Sequence, residues 1–328
     1  MTRITHRTIQ ESTLANLQRN VTAMGALQER LSTGKNINRA SDDPTGTVSV
    51  LQLRQDLRNV EQFSRNADDG LGWLGSVDTA LQSTQSQLRR AQELTLKALS
   101  SGSQSVDSRE AIALEVESIS SAVVGLANAK YLDRSVFAGT AGSGDAVVVS
   151  GAGATKAYRF ASTGTTTGAG GGEVLRRIDA ATQIRVDTDG REVFGDDGTG
   201  QSVFALLDTI ARQIRTMPNA GTSGTTSADP AAAAAAMADL ETSFEALQAR
   251  VSQVSAAQSA AGTNMNRLTT AQDAAEDKKV TLSSALSDVE DTDLPETIVQ
   301  LQMQEVAYKA ALGATAKVLQ PSLMDFLR

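Results

Sequence analysis

A few groups of residues in this chain have types and spacings that could do chemistry. His6 is the only histidine. A lone imidazole with no evident base or metal partner reads as an exposed residue near a terminus. Asp42 and Asp43 could form an acid–base pair, but adjacent acids directly before Pro44 better suit a helix cap. Asp187-Thr188-Asp189-Gly190, with Asp196 and Asp197 further on, has the start of a calcium loop. Such a loop needs a bidentate Glu at its twelfth position, and the twelfth residue from Asp187 is Gly198. Asp189-Gly190 therefore reads as a hairpin turn. Gly168 to Gly172 lacks the Gly-Lys-Ser/Thr ending of a phosphate loop and reads as a flexible connector. Trp73 and Phe137 could be ligand platforms, but Trp73 stands one helical turn before Val77 and reads as core.

Composition narrows the classes further. The absence of cysteine excludes disulfides, thiolate nucleophiles and cysteine metal sites. No nucleophile–base pair and no metal set can be assembled, so neither an enzyme nor a cofactor is expected. The net charge is −8, and Lys and Arg form no basic cluster of the kind a nucleic-acid surface needs. No apolar run approaches the roughly 20 residues of a membrane span. Met1 to Asn20 is polar and lacks the apolar middle of a secretory signal. On its own that points to the cytoplasm, unless export follows a route without a cleaved signal. Aromatics make up only 3% of the chain, which suits slender helical bundles with Leu, Val and Ala in their seams.

The elements that must position any functional surface are long helices. At the N-terminal end, Leu14, Leu17, Val21, Met24, Gln28 and Leu31 follow a heptad. At the other end so do Ile298, Leu301, Glu305, Tyr308, Leu312, Thr315 and Leu319. Steps of three and four put each row on one stripe, as in a coiled-coil seam. Neither stripe is wide enough for a globular core, so each needs a partner helix, and the other is the nearest candidate.

Between them we expect a helix over 1–40 stopping near Gly34, a polar turn over 38–44 with Ser41 or Asp42 as cap, and a helix over 45–66. Another carries Leu74, Val77, Leu81, Thr84, Leu88, Ala91 and Thr95. Arg109 to Lys130 forms the next. From Gly139 to Gly200 the chain turns Gly-, Thr- and Ser-rich. β-type runs stand at Ala146–Val149, Ala157–Phe160, Gln183–Val186 and Glu192–Phe194, with a loose loop at Thr163–Gly172. Helix returns over Gln201–Met217. A disordered-looking linker follows at Pro218–Ser227. A rod-like helix then carries Met237 through Val289, fifty-odd residues or roughly 80 Å long. The expected fold is mainly α: a coiled-coil and bundle rod built from N- and C-terminal segments, with a small β-rich insert. Its parts would be 1–40 with 295–328 for assembly, 41–138 with 201–294 as bundle, and 139–200 as insert.

Several motifs then carry a resemblance. They are Leu31-Ser-Thr-Gly-Lys-Asn-Ile37, Ala40-Ser-Asp-Asp-Pro44, Leu51-Gln-Leu-Arg54, Gln62, Asn66, Trp73-Leu74 and Asp78-Thr-Ala-Leu81. Arg109, Ala113-Leu-Glu-Val116, Asn128, Val136-Phe-Ala-Gly-Thr140, Tyr308-Lys-Ala-Ala-Leu312 and Val318 to Leu327 continue it. Together they resemble the signatures at the two ends of the bacterial flagellin superfamily, over roughly 1–140 and 235–328. Three details are similar to its hook-associated branch. Pro44 follows Ser-Asp-Asp, Phe137-Ala-Gly-Thr140 precedes the insert, and the chain ends in Pro321-Ser-Leu-Met-Asp-Phe-Leu327. The insert matches no pattern of that family.

The resemblance implies a structural, non-enzymatic flagellar subunit at the hook–filament junction. It implies export through the flagellar type III apparatus without a cleaved signal, so a secreted, extracellular location. Its implied partners are itself in a ring, a neighbouring hook-associated protein, filament-side flagellin and an export chaperone. Terminal helices would pack in the inner tube and the insert would face outward. Leu14, Leu17, Val21, Met24, Leu31, Ile298, Leu301, Tyr308, Leu312, Leu319, Leu323, Phe326 and Leu327 are the expected assembly residues. The run Val318–Leu327 is the expected chaperone segment, and Ala40–Gln62 a further inter-subunit stretch. The alternatives are a flagellin-type filament subunit and a surface adhesion module.

Overall fold

Helix dominates because apolar residues recur at heptad steps over long stretches free of interior proline. The computed structural model describes residues 6–100, 105–140, 144–151, 156–160, 172–195, 202–217 and 230–319. Helix α1 (His6–Thr33) stops at Gly34, whose φ of +70° is open to glycine, and whose N–H reaches the Arg30 carbonyl at 2.8 Å. Helix α2 (Pro44–Ser100) begins on a proline. Its cap is Asp43, whose Oδ1 accepts the Thr45 and Gly46 N–H groups at 3.0 and 2.9 Å. Asp42 does not cap. Its carboxylate accepts the Arg39 N–H at 2.8 Å and so shapes the turn before the helix.

One sequence expectation about the helices is corrected in this region. The stretches 45–66 and 74–95 are one uninterrupted helix of 57 residues. Glycines in its middle weaken helix propensity without breaking it, and Gly70 and Gly72 serve close contacts. A Cβ on Gly72 would lie 2.4 Å from the Tyr131 hydroxyl.

Helix α3 (Val106–Ala127), capped by Ser105, leads into a tight hairpin of β1 (Lys130–Tyr131) and β2 (Arg134–Ser135). Its two turn residues, Leu132 and Asp133, both have positive φ, +46° and +64°. Two more antiparallel pairs follow: β3 (Val147–Ser150) with β4 (Ala157–Phe160), and β5 (Leu175–Arg177) with β6 (Gln183–Arg185). The expected strand at Glu192–Phe194 is instead the short helix α4 (Gly190–Phe194). Asp189-Gly190 is therefore not a hairpin turn. The Asp189 carboxylate accepts the Arg191 N–H at 2.9 Å and caps α4, and Gly190 N–H donates to the Phe137 carbonyl at 3.1 Å. Helix α5 (Val203–Thr216), helix α6 (Pro230–Glu290) and helix α7 (Leu294–Leu319) complete the chain. The expected linker at Pro218–Ser227 lies outside the described residues, as does all but Gly172 of the expected loop at Thr163–Gly172.

The chain divides into two compact units, Met1–Glu61 with Asp277–Arg328, and Gln62–Glu276. In the second unit α2 buries Leu74, Val77, Leu81, Leu88 and Ala91, and α6 buries Leu240, Leu247, Val254, Ala261 and Leu268 at strict seven-residue steps. Gln258 Nε2 donates to Asp78 at 3.1 Å, and Gln272 Nε2 to Asp68 at 2.6 Å, so the two helices run antiparallel. Helix α5 lies on α3, where the Arg215 guanidinium bridges Glu110 and Glu117. In the β-rich stretch Val147, Tyr158, Ile184, Val186 and Phe194 belong to the same apolar cluster as the helices. Phe194 stacks on Phe204 of α5 at 5.6 Å and meets Phe137 edge-on at 5.2 Å.

Candidate assembly interface

In the first unit α1 and α7 pair antiparallel. The seam on α1 consists of half-buried Thr13, Leu17, Asn20, Met24, Leu27 and Leu31. On α7 it consists of buried Thr297 and half-buried Leu301, Gln304, Tyr308, Ala311 and Thr315. Gln304 Nε2 donates to Asn20 Oδ1 at 3.2 Å across it. A polar pair at a seam position fixes register at a cost in stability.

Of the assembly residues expected from sequence, Leu17, Met24, Leu31, Leu301 and Tyr308 lie in this seam. Leu14, Val21, Ile298 and Leu312 do not: they are 60%, 48%, 45% and 43% exposed. Each helix is rotated by about one residue from the expected stripe. The Asn20–Gln304 hydrogen bond is satisfied in the seam, and the flanking aliphatic residues are left in solvent. Leu319 falls within α7 but its side chain is not among those described. Leu323, Phe326 and Leu327 lie outside the described residues.

A second apolar row on α7 is legible in the spacing but was not among the expected site residues. Val299, Met303 and Val306, at steps of four and three, are 55%, 68% and 66% exposed. Helix α7 is therefore apolar on its seam and also on a face that no described residue covers. In the Ala40–Gln62 stretch, Val48 and Leu51 are exposed as well.

The ends of this helix pair are held by two chain breaks lying side by side. Residues 34–36 after α1 and 291–292 before α7 form a small ladder: Lys35 bridges Asp291, Asn36 N–H donates to the Glu290 carbonyl at 2.7 Å, and Thr292 N–H donates to the Gly34 carbonyl at 3.0 Å. Asp293 caps α7 through the Glu296 N–H at 3.1 Å. The Glu290 side chain, 5% exposed, takes an ion pair from Lys35 and another from Arg54 at 2.5 Å. Burial pushes its carboxyl pKa up. The Lys35 and Arg54 hydrogen bonds and charges outweigh this and hold it below the usual carboxylate range.

A cleft of about 390 Å³ lies between Ala256, Ala257 and Ala260 of α6 and Arg185, Asp187 and Glu192. Asp187 is engaged there as a structural group: it accepts the Val174 N–H at 2.8 Å and pairs with Arg185 at 3.1 Å. Among the described residues no three His, Cys, Asp or Glu side chains are grouped so as to hold a metal ion. None of the described helices is long and apolar enough to cross a membrane.

Residues 4–141 match the bacterial flagellin N-terminal helical region. Over 127 residues it is 32% identical to a flagellin of Bacillus subtilis (strain 168), a match covering 38% of this chain and 42% of that flagellin. The match thus spans less than half of its curated relative. The fold is similar to that of the flagellar hook associated protein-3 from Legionella pneumophila, with a TM-score of 0.61 at 13% identity. That match covers 73% of this chain and 98% of the other. It is also similar to Xanthomonas campestris FlgL, with a TM-score of 0.58 at 17% identity, covering 72% and 99%.

Proposed function

We propose that this chain is a structural, non-enzymatic subunit of the bacterial flagellum, forming the ring that joins hook to filament. The observation that carries the reading is the half-covered α1/α7 pair. Its seam is closed, yet Leu14, Val21, Ile298, Val299, Met303 and Val306 stay in solvent. Burying such a surface against neighbouring copies contributes about 25 cal/mol per Å². A heterologous, head-to-tail contact of this kind closes into a ring where the rotation between copies closes, and grows a filament where it does not. The flagellin-like N-terminal region and the hook-associated fold support the same reading.

On this reading the neighbours are further copies of the chain, a hook-associated protein on one side and flagellin on the other. The subunit leaves the cell through the flagellar export route without a cleaved signal. An export chaperone holds the Val318–Leu327 segment before assembly.

The test is a Met303→Asp, Val306→Asp double variant expressed in cells lacking the wild-type protein. Both side chains point to solvent in the monomer, so helix content and melting should be unchanged while incorporation into flagella is lost. Normal incorporation would remove the exposed row from the interface. A flagellin-type filament subunit is the second reading, favoured by the Bacillus subtilis match. It requires the protein to polymerise alone and to dominate the mass of purified filaments. An adhesive module would need exposed aromatics, whereas Tyr158 and Phe194 are buried in the core.

A further inference from the structure

The two chain breaks of the first unit coincide, and that coincidence has a mechanical consequence. Every backbone path between the α1/α7 pair and the segments of α2 and α6 in the same unit runs through residues 34–43 or 291–293. The hydrogen bonds Asn36 to Glu290 and Thr292 to Gly34 tie these two connectors to each other. They therefore move as one. At the far side α2 restarts rigidly on its Asp43 cap, and α7 restarts on Asp293. Ile37 of the connector lies against Gly46 of α2, and among the described ion pairs it is Glu290 that links the connector to α2. It is the last residue of α6 and nearly buried, and it engages both Lys35 of the connector and Arg54 of α2. The nearby Arg39–Glu29 pair is exposed on both sides and stays within α1 and the connector. It cannot hold α2.

We propose that residues 34–43 and 291–293 form a single hinge, and that the Glu290 carboxylate is its latch, fixing the direction in which the α1/α7 pair leaves α2 and α6. Releasing the latch frees the pair to swing as a body without unzipping. For a ring subunit, which rests on the function proposed above, such a hinge lets one chain meet two tubes of different geometry. The mechanical claim itself concerns the monomer and is tested there.

The chain has no cysteine, so spin labels can be placed cleanly in the full-length protein. One pair, Ser284→Cys with Gln302→Cys, spans the hinge from α6 to α7. A second, Gln18→Cys with Gln302→Cys, lies within the α1/α7 pair. All three positions are exposed. Electron–electron distance distributions are then compared with and without Glu290→Gln, with Lys35→Met as an independent release and Arg39→Gln as a control. The proposal expects Glu290→Gln and Lys35→Met to broaden the 284–302 distribution at least two-fold, with the 18–302 distribution and the control unchanged. An unchanged 284–302 distribution overturns the latch. Broadening of both pairs together overturns the hinge, since the helix pair would then be melting. Because no assembly is involved, either failure leaves the junction reading to its own test.

Discussion

Glu290 shows how one side chain can hold a structure whose overall pattern is repetitive. Its burial favours the protonated form, and Lys35 and Arg54 reverse that preference. A carboxyl whose pKa is lower folded than unfolded contributes stability that is complete above the unfolded value, near 4.3. That stability is lost as pH falls through the folded value. We therefore expect amide protection at residues 34–36 and 291–292, corrected for intrinsic exchange, to be flat from pH 7 to about 5 and to collapse below about 4. In Glu290→Gln the protection should already be low at pH 7 and insensitive to acid. Unchanged protection down to about pH 2 in the wild type would mean that the ion pairs contribute nothing. At this scale the sequence was partly legible. The acids before Pro44 announce a cap, although Asp43 rather than Asp42 supplies it. The partnership of Lys35, Arg54 and Glu290 joins residues more than 200 positions apart, and no local spacing reveals it.

Among the elements, legibility follows periodicity. Leu240, Leu247, Val254, Ala261 and Leu268 repeat every seven residues, and all five are buried on one face of α6. Where local chemistry and tertiary contact disagree, the contact wins. The glycines of α2 suggest an interruption, yet Gly72 makes room for Tyr131 inside a continuous helix. Leu132 and Asp133 turn a hairpin at positive φ without the Asn-Gly that such turns favour. Glu192 to Phe194 has strand composition, but the Asp189 cap and the Phe137 carbonyl draw it into a helix. The terminal seam was legible as a heptad but not in its rotation, since an apolar pattern cannot show that Asn20 and Gln304 will pair inside it. Replacing both with leucine should stabilise the α1/α7 pair by about 1–2 kcal/mol while loosening its register. Thermal melting of the double variant should rise. Cross-linking between cysteines placed at residues 18 and 302 should spread to neighbouring positions such as 299 and 306. A rise in melting with cross-linking still confined to one position would show that the polar pair does not set register.

At the scale of the whole molecule, the chain keeps its closed core in the Gln62–Glu276 unit and leaves much of its exposed aliphatic surface on the terminal helices. These helices present a surface that no described residue covers. This division is the basis of the flagellar junction role proposed above. Electron microscopy of flagella purified from cells producing the native protein, with gold-labelled antibodies raised against the Gln62–Glu276 unit, tests that role most directly. The account predicts a single narrow band of label at the boundary between hook and filament, a handful of copies beside thousands of flagellins. Label distributed along the filament would make the chain a filament subunit and contradict the junction role.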